Sequence, residues 1–173
     1  MAGVTHETLN DLPETSRNQV IDLLNERLAD AIDLQAQAKQ AHWNVKGPQF
    51  IALHKLFDEI DGAVEQYVDL LAERIVQLGG IAEGTVAIVA GRTELPQYPI
   101  NISGGAEHVW ALSNALAGFG GRIRTAIDET DDLGDADSMD ICTEISRGID
   151  KWLWFVEAHA EGGVRAPVTA TRS

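Results

Sequence analysis

Apolar residues recur every three or four positions through four long segments of the chain, and almost nothing alternates with the two-residue period of a strand. The pattern predicts an all-α chain. The first segment starts near Pro13 to Ser16 and carries Val20, Leu24, Leu28, Ala31, Ala38 and Ala41 at helical spacing. It is predicted to stop at Gly47, suited to a left-handed helix end, with Pro48 suited to open the next helix. The second segment covers residues 48–78 and closes on Gly79 and Gly80; the third covers 105–130 and the fourth 136–160. Between the second and third lies a connection, residues 81–103, too long for a hairpin and predicted to hold a short helix over 85–90. A crossover of that length joins parallel neighbours in a bundle. Gly118, Gly120 and Gly121 each cost a helix roughly 1 kcal/mol relative to alanine, so close packing is expected where they fall.

The second helix carries most of the chemistry. On a wheel of about 100° per residue with His54 at the origin, Asp58 lies near 40°, Asp69 near 60° and Glu73 near 100°. Leu53, Leu56, Phe57, Ile60, Val64, Tyr67, Val68, Leu71, Ile75 and Leu78 occupy roughly the opposite side. Four metal-capable side chains therefore share a stripe that faces away from the chain's own core. Asp58 and Asp69 are about 16 Å apart along the axis, too far to hold one ion on one straight helix, so the stripe holds two half-sites. The half-sites are palindromic about a point between Ala63 and Val64. Two copies crossing antiparallel there would set His54 against Glu73 and Asp58 against Asp69, completing two identical sites across a two-fold axis. Gly62 would then face Glu65 of the other copy, where a missing side chain permits close approach. His42, at the end of the first helix, adds a second nitrogen. No Glu-x-x-His pair occurs in the two N-terminal helices, which argues against a di-iron site inside a single bundle.

Imidazole with carboxylate suits Fe(II) and, less selectively, Zn or Mn, while a site without thiolates is a poor match for Cu(I) and iron-sulfur chemistry. Singly, each residue has a plainer reading: His42 as a packed histidine, Asp58 or Glu73 as a surface charge paired with Lys55 or Arg74.

Composition changes this picture in three ways. A length of 173 residues with 45% hydrophobic content suits one domain with a real core. The single cysteine, Cys142, excludes an intrachain disulfide framework, and with neither a secretory signal nor a long apolar run the expected location is cytoplasmic, with the nucleoid as the alternative within it. A formal charge of −14 favours cations as partners and disfavours nucleic acid.

HWNVKG, LHKLFDEID, DLLAERIVQLGG and DKWLWFVEAH together resemble the Dps family, ferritin-like miniferritins named as DNA-binding proteins from starved cells. The resemblance covers roughly residues 15–160, leaving flexible tails at 1–14 and 161–173. It implies a ferritin-like four-helix bundle assembled as a hollow dodecamer, with ferroxidase sites at the two-fold interfaces. There Fe(II) would be oxidised, by hydrogen peroxide in preference to O2, and stored as a ferric mineral. The ligands it implies are His42, His54 and Asp58 from one chain with Asp69 and Glu73 from its neighbour. Trp43 becomes a candidate electron trap or a packing residue of the interface. The acidic segment DETDDLGDADSMD, expected to connect the third and fourth helices, offers Asp131, Asp132, Asp135 and Asp137 as candidate residues of a three-fold cation pore, with a solvated turn as the alternative. Asp61 and Glu65 are candidate nucleation or transit carboxylates, or ordinary polar interface. DNA binding through a basic tail is not expected: the first 17 residues contain no lysine and a single arginine, Arg17, among Glu7, Asp11 and Glu14, and the last nine offer Arg165 and Arg172. The alternative function is a DNA-compacting stress protein in which iron oxidation is secondary.

Overall fold

A computed structural model describes residues 6–160. Among them are five helices: α1 (Glu14–Asn44), α2 (Phe50–Gln77), α3 (Val86–Arg92), α4 (Gly105–Asp132) and α5 (Ala136–Glu157). The helical periodicity is thus fulfilled, and the described residues form no strand. α1 packs chiefly on α2, and α4 on α5, and the two hairpins join through α1 on α4 and α2 on α5. Leu24, Leu28, Phe57, Ile60, Leu112, Phe119, Ile145 and Ile149 meet in the shared core with no appreciable exposure.

The boundaries have local causes. α1 stops three residues before Gly47 because Val45 turns extended and Lys46 donates its N–H to the Ser103 carbonyl at 2.8 Å, pairing with the crossover strand-wise rather than continuing the helix. Gly47, at φ +112°, then reverses the chain as expected. α2 ends in a Schellman motif: Gly79 N–H bonds to Val76 and Gly80 N–H to Ile75, with Gly79 at φ +89°. α4 ends the same way at Gly134, and the connection to α5 is only Leu133, Gly134 and Asp135. Most of the acidic segment expected as a loop is therefore helix. α4 runs unbroken through Gly118, Gly120 and Gly121, and of these three only Gly120 would press a methyl group on a neighbour, Ile149 at 3.2 Å.

The crossover is fastened by polar residues that α1 buries among its apolar ones. Asn25 bonds the backbone at Ile81 and Glu83, Gln37 bonds the Pro96 carbonyl, and Asp30 accepts the Glu94 N–H. Each satisfies a backbone group that a buried loop would otherwise leave unpaired. The short helix forms one to two residues later than predicted. Residues 6–13, within the expected tail, lie over the end of α2: His6 N–H bonds the Gly79 carbonyl, and Arg17 joins the carbonyls of Leu12 and Leu78. The remainder of that expected tail, and the whole C-terminal one, lie outside the described residues.

Candidate metal centre

The Gly47 turn folds α2 back along α1 and brings His42 and His54 face to face, ring centroids 3.8 Å apart and nearly parallel. The pairing is reciprocal. His42 Nδ1 lies 2.8 Å from the His54 carbonyl, and His54 Nδ1 lies 2.9 Å from the His42 carbonyl. A carbonyl only accepts, so both Nδ1 atoms carry the hydrogen and both rings keep Nε2 as a lone-pair donor. Such a backbone carbonyl behind a histidine fixes both tautomer and ring direction for a metal.

One turn on, Asp58 projects from α2 toward the pair, its Oδ1 3.8 Å from His42 Nδ1. It is also held by a residue that sequence reasoning missed. Lys39 Nζ lies 2.8 Å from Asp58 and 2.7 Å from Asp61. Lys39 precedes His42 by three positions, one helical turn, so the spacing was a usable signal. The hydrogen bond from Lys39 chiefly, with smaller help from the Lys39 charge, holds the Asp58 carboxyl below its ordinary 3.8, while the two aspartates raise Lys39. At neutral pH Asp58 is thus an ionised carboxylate whose partner is an ammonium group, not a proton. Asp61 is spoken for by the same lysine.

Asp69 and Glu73 are exposed on the same face of α2, as are Gly62 and Glu65. The wheel placed them correctly outside the core. Neither joins the histidines, and among the described residues no three of His, Cys, Asp and Glu converge on one point. One chain sets two imidazoles face to face with Asp58 3.8 Å from the Nδ1 of one of them, and leaves two carboxylates elsewhere. Lys55 and Arg74 do not neutralise them: Arg74 is buried and turned the other way, onto Asp135 at 2.6 Å and Ser138 at 2.9 Å. Trp43 is 68% exposed beside the histidine pair, and Phe50, Ile51 and Val76 are exposed on α2.

The pore candidates divide. Asp131, Asp132 and Asp137 are exposed, but Asp135 is 2% exposed and caps α5, accepting from Ser138 N–H and Oγ as well as Arg74. A carboxylate so enclosed is a structural cap, and its assignment to an ion path is corrected.

The chain matches the ferritin-like domain over residues 21–165. A ferritin-like bundle is the class that the helices and the histidine turn define. Within that class the chain belongs to the Dps family. It is 47% identical to the DNA protection during starvation protein of Agrobacterium fabrum, over 91% of this chain and 97% of that one. Among solved structures, a tetragonal form of Mycobacterium smegmatis Dps is similar at TM-score 0.86 and 33% identity, covering 91% of this chain and 95% of that one. DpsA14 from Streptomyces coelicolor is similar at TM-score 0.88 and 30% identity, covering 96% and 99%. No described helix is long and apolar enough to cross a membrane.

Proposed function

We propose that the chain is a peroxide-consuming ferroxidase and iron store whose reaction sites form between two copies. The observation that carries this reading is the reciprocal histidine pair, which presents two lone-pair nitrogens beside an ionised aspartate and yet supplies too few ligands to finish a site. The palindrome of α2 supplies the rest. An antiparallel crossing brings Asp69 and Glu73 of a second copy to His54 and Asp58, with His42 as the fifth ligand. The same operation sets Phe50 and Ile51 of that copy against Gln77 and Val76. There an open hollow of about 420 Å³ is lined by Ala72, Glu73, Val76, Gln77 and Ala82, so the exposed apolar residues acquire a seat.

Iron is the substrate here. His42 and His54 are neutral donors, and Asp58 and Glu73 the carboxylates able to use both oxygens. Lys39 holds Asp58 until a divalent ion displaces it, so this carboxylate keeps a cationic partner without metal. Two Fe(II) held together deliver both electrons that one peroxide needs, and no hydroxyl radical is released. Zn or Mn would occupy the same ligands without that outcome. The ferric product is stored within a shell of twelve chains, with Asp131, Asp132 and Asp137 as the remaining candidates for an entry pore, and Asp61 and Glu65 for transit. The setting is the cytoplasm. Membership of a family whose relatives are called DNA protection proteins supports a second reading, direct DNA compaction, which the charge of −14 opposes.

Anaerobic Fe(II) addition followed by limiting peroxide tests the proposal. About two irons oxidised per peroxide, eluting with a large soluble particle, is the expected result. Precipitated iron at the buffer rate would overturn it. Phe50→Glu, which alters the hollow's occupant but no ligand, is expected to shrink the particle and slow oxidation together.

A further inference from the structure

The chain has two tyrosines, Tyr67 and Tyr98, in opposite chemical settings. Tyr98 lies in the crossover, half-buried, with its hydroxyl 2.7 Å from Nδ1 of His108 in the first turn of α4. His108 is 1% exposed. Burial holds its imidazole below the ordinary 6.5, against smaller raising effects from Glu107 and the Asn44 backbone, and burial also drives the Tyr98 phenol well above its usual range. A neutral phenol thus faces a neutral imidazole. His108 Nε2 is enclosed without a partner at hydrogen-bond geometry, and the Asn44 backbone lies near the ring. The tautomer with hydrogen on Nε2 turns that hydrogen toward the Asn44 carbonyl and frees the Nδ1 lone pair to accept from Tyr98. Tyr67 differs. Its hydroxyl fills the notch left by Gly148 and meets the indole of Trp152, which only donates.

A phenol gives up an electron readily at neutral pH only if its proton has somewhere to go, and Tyr98 alone of the two has a base in contact. Asn44, near that base, is two residues from His42.

We propose that Tyr98, with His108 as its proton acceptor, is the electron donor that completes peroxide reduction when an iron site holds one Fe(II) instead of two. This rests on the ferroxidase reading. Peroxide takes two electrons to become two hydroxide ions. One comes from the single Fe(II), which becomes Fe(III), and the other from Tyr98, whose O–H proton passes to His108 Nδ1, leaving a neutral tyrosyl radical and an imidazolium. The next Fe(II) to arrive reduces the radical, and His108 returns the proton. Iron and peroxide balance as in the two-iron reaction, with one electron lent in the interval.

Two measurements test it on the whole assembled protein. Without iron, a flash-generated ruthenium(III) complex supplies a one-electron oxidant, and the tyrosyl radical is read by electron paramagnetic resonance. With at most one Fe(II) per site, peroxide is added anaerobically and the sample freeze-quenched for the same signal. In both, the signal is expected in the parent protein and in Tyr67→Phe and is lost in Tyr98→Phe; His108→Gln, which keeps the phenol but removes the base, loses it too. Should His108→Gln not fold, a slower Tyr98 oxidation in deuterated solvent stands in as the mark of coupled proton transfer, and its absence counts against the proposal. A signal that survives in Tyr98→Phe overturns the assignment. Iron oxidised at one per site with no tyrosyl signal overturns the donor role and leaves the ferroxidase reading standing. Iron that peroxide does not oxidise faster than in buffer overturns the ferroxidase reading and the donor role with it, whatever the flash experiment shows.

Discussion

Two ion pairs on the α2 face and end have nearly the same geometry and opposite meanings. Arg74 meets Asp135 at 2.6 Å with both side chains at most 6% exposed, and further bonds to Ser138 surround the pair. Lys39 meets Asp58 at 2.8 Å with the aspartate side chain 54% exposed and a second carboxylate sharing the ammonium. Distance does not separate them; burial does. Removing one partner of an enclosed pair strands the other charge, whereas water readily replaces a partner in an open one. The enclosed pair ties the start of α5 to α2, and the open pair keeps a carboxylate ionised and accessible to solvent.

The comparison breaks if Arg74→Ala proves mild. It is expected to cost about 3–5 kcal/mol in chemical denaturation, because Asp135 is left charged and enclosed. Gly148→Ala follows at about 1–3 kcal/mol, since the new methyl group collides with the Tyr67 hydroxyl and α5 must shift. His54→Ala should lower the rate of peroxide-dependent iron oxidation roughly 10–100-fold while leaving a folded helical chain, as a lost ligand contact does elsewhere. Lys39→Met sharpens the contrast from the other side: the dissociation constant for the first divalent ion, read by titration calorimetry, should tighten by less than about tenfold, with stability almost unchanged. The smallest effect is in pH. His108 is held neutral below its ordinary 6.5, so the unfolded chain takes up a proton first as pH falls. Its contribution is intact above 6.5 and is lost as pH drops from there toward the lowered value, and a denaturation series in His108→Gln should lack that component.

The periodicity of apolar residues was enough to find the four long helices, and the wheel was enough to place Asp58, Asp69 and Glu73 outside the core, because both depend on spacing along one helix. Residues whose role is set by distant chain were not legible in the same way. Asp135 and Asp131 look alike in an acidic run, yet only Asp135 meets Arg74, 61 positions away. Asn25 and Asp30 look like surface residues of α1 until the crossover lies over them. Tyr98 and His108 are ten positions apart across a turn with no period to announce it. Lys39 stands between these cases: its spacing from His42 was visible, but its choice of Asp58 over solvent needed the Gly47 turn.

The crossed bonds of His42 and His54 make each ring's direction depend on the other residue's backbone, and those backbones belong to different helices. The pair is therefore a clasp across the chain reversal as much as a set of donors. Deleting either ring frees a carbonyl on the opposite helix and loosens its mate, so the two losses overlap. The double substitution should cost less than the sum of the singles, in folding and in metal affinity alike, and the interval between those two figures measures how much of the site's readiness comes from the turn that builds it.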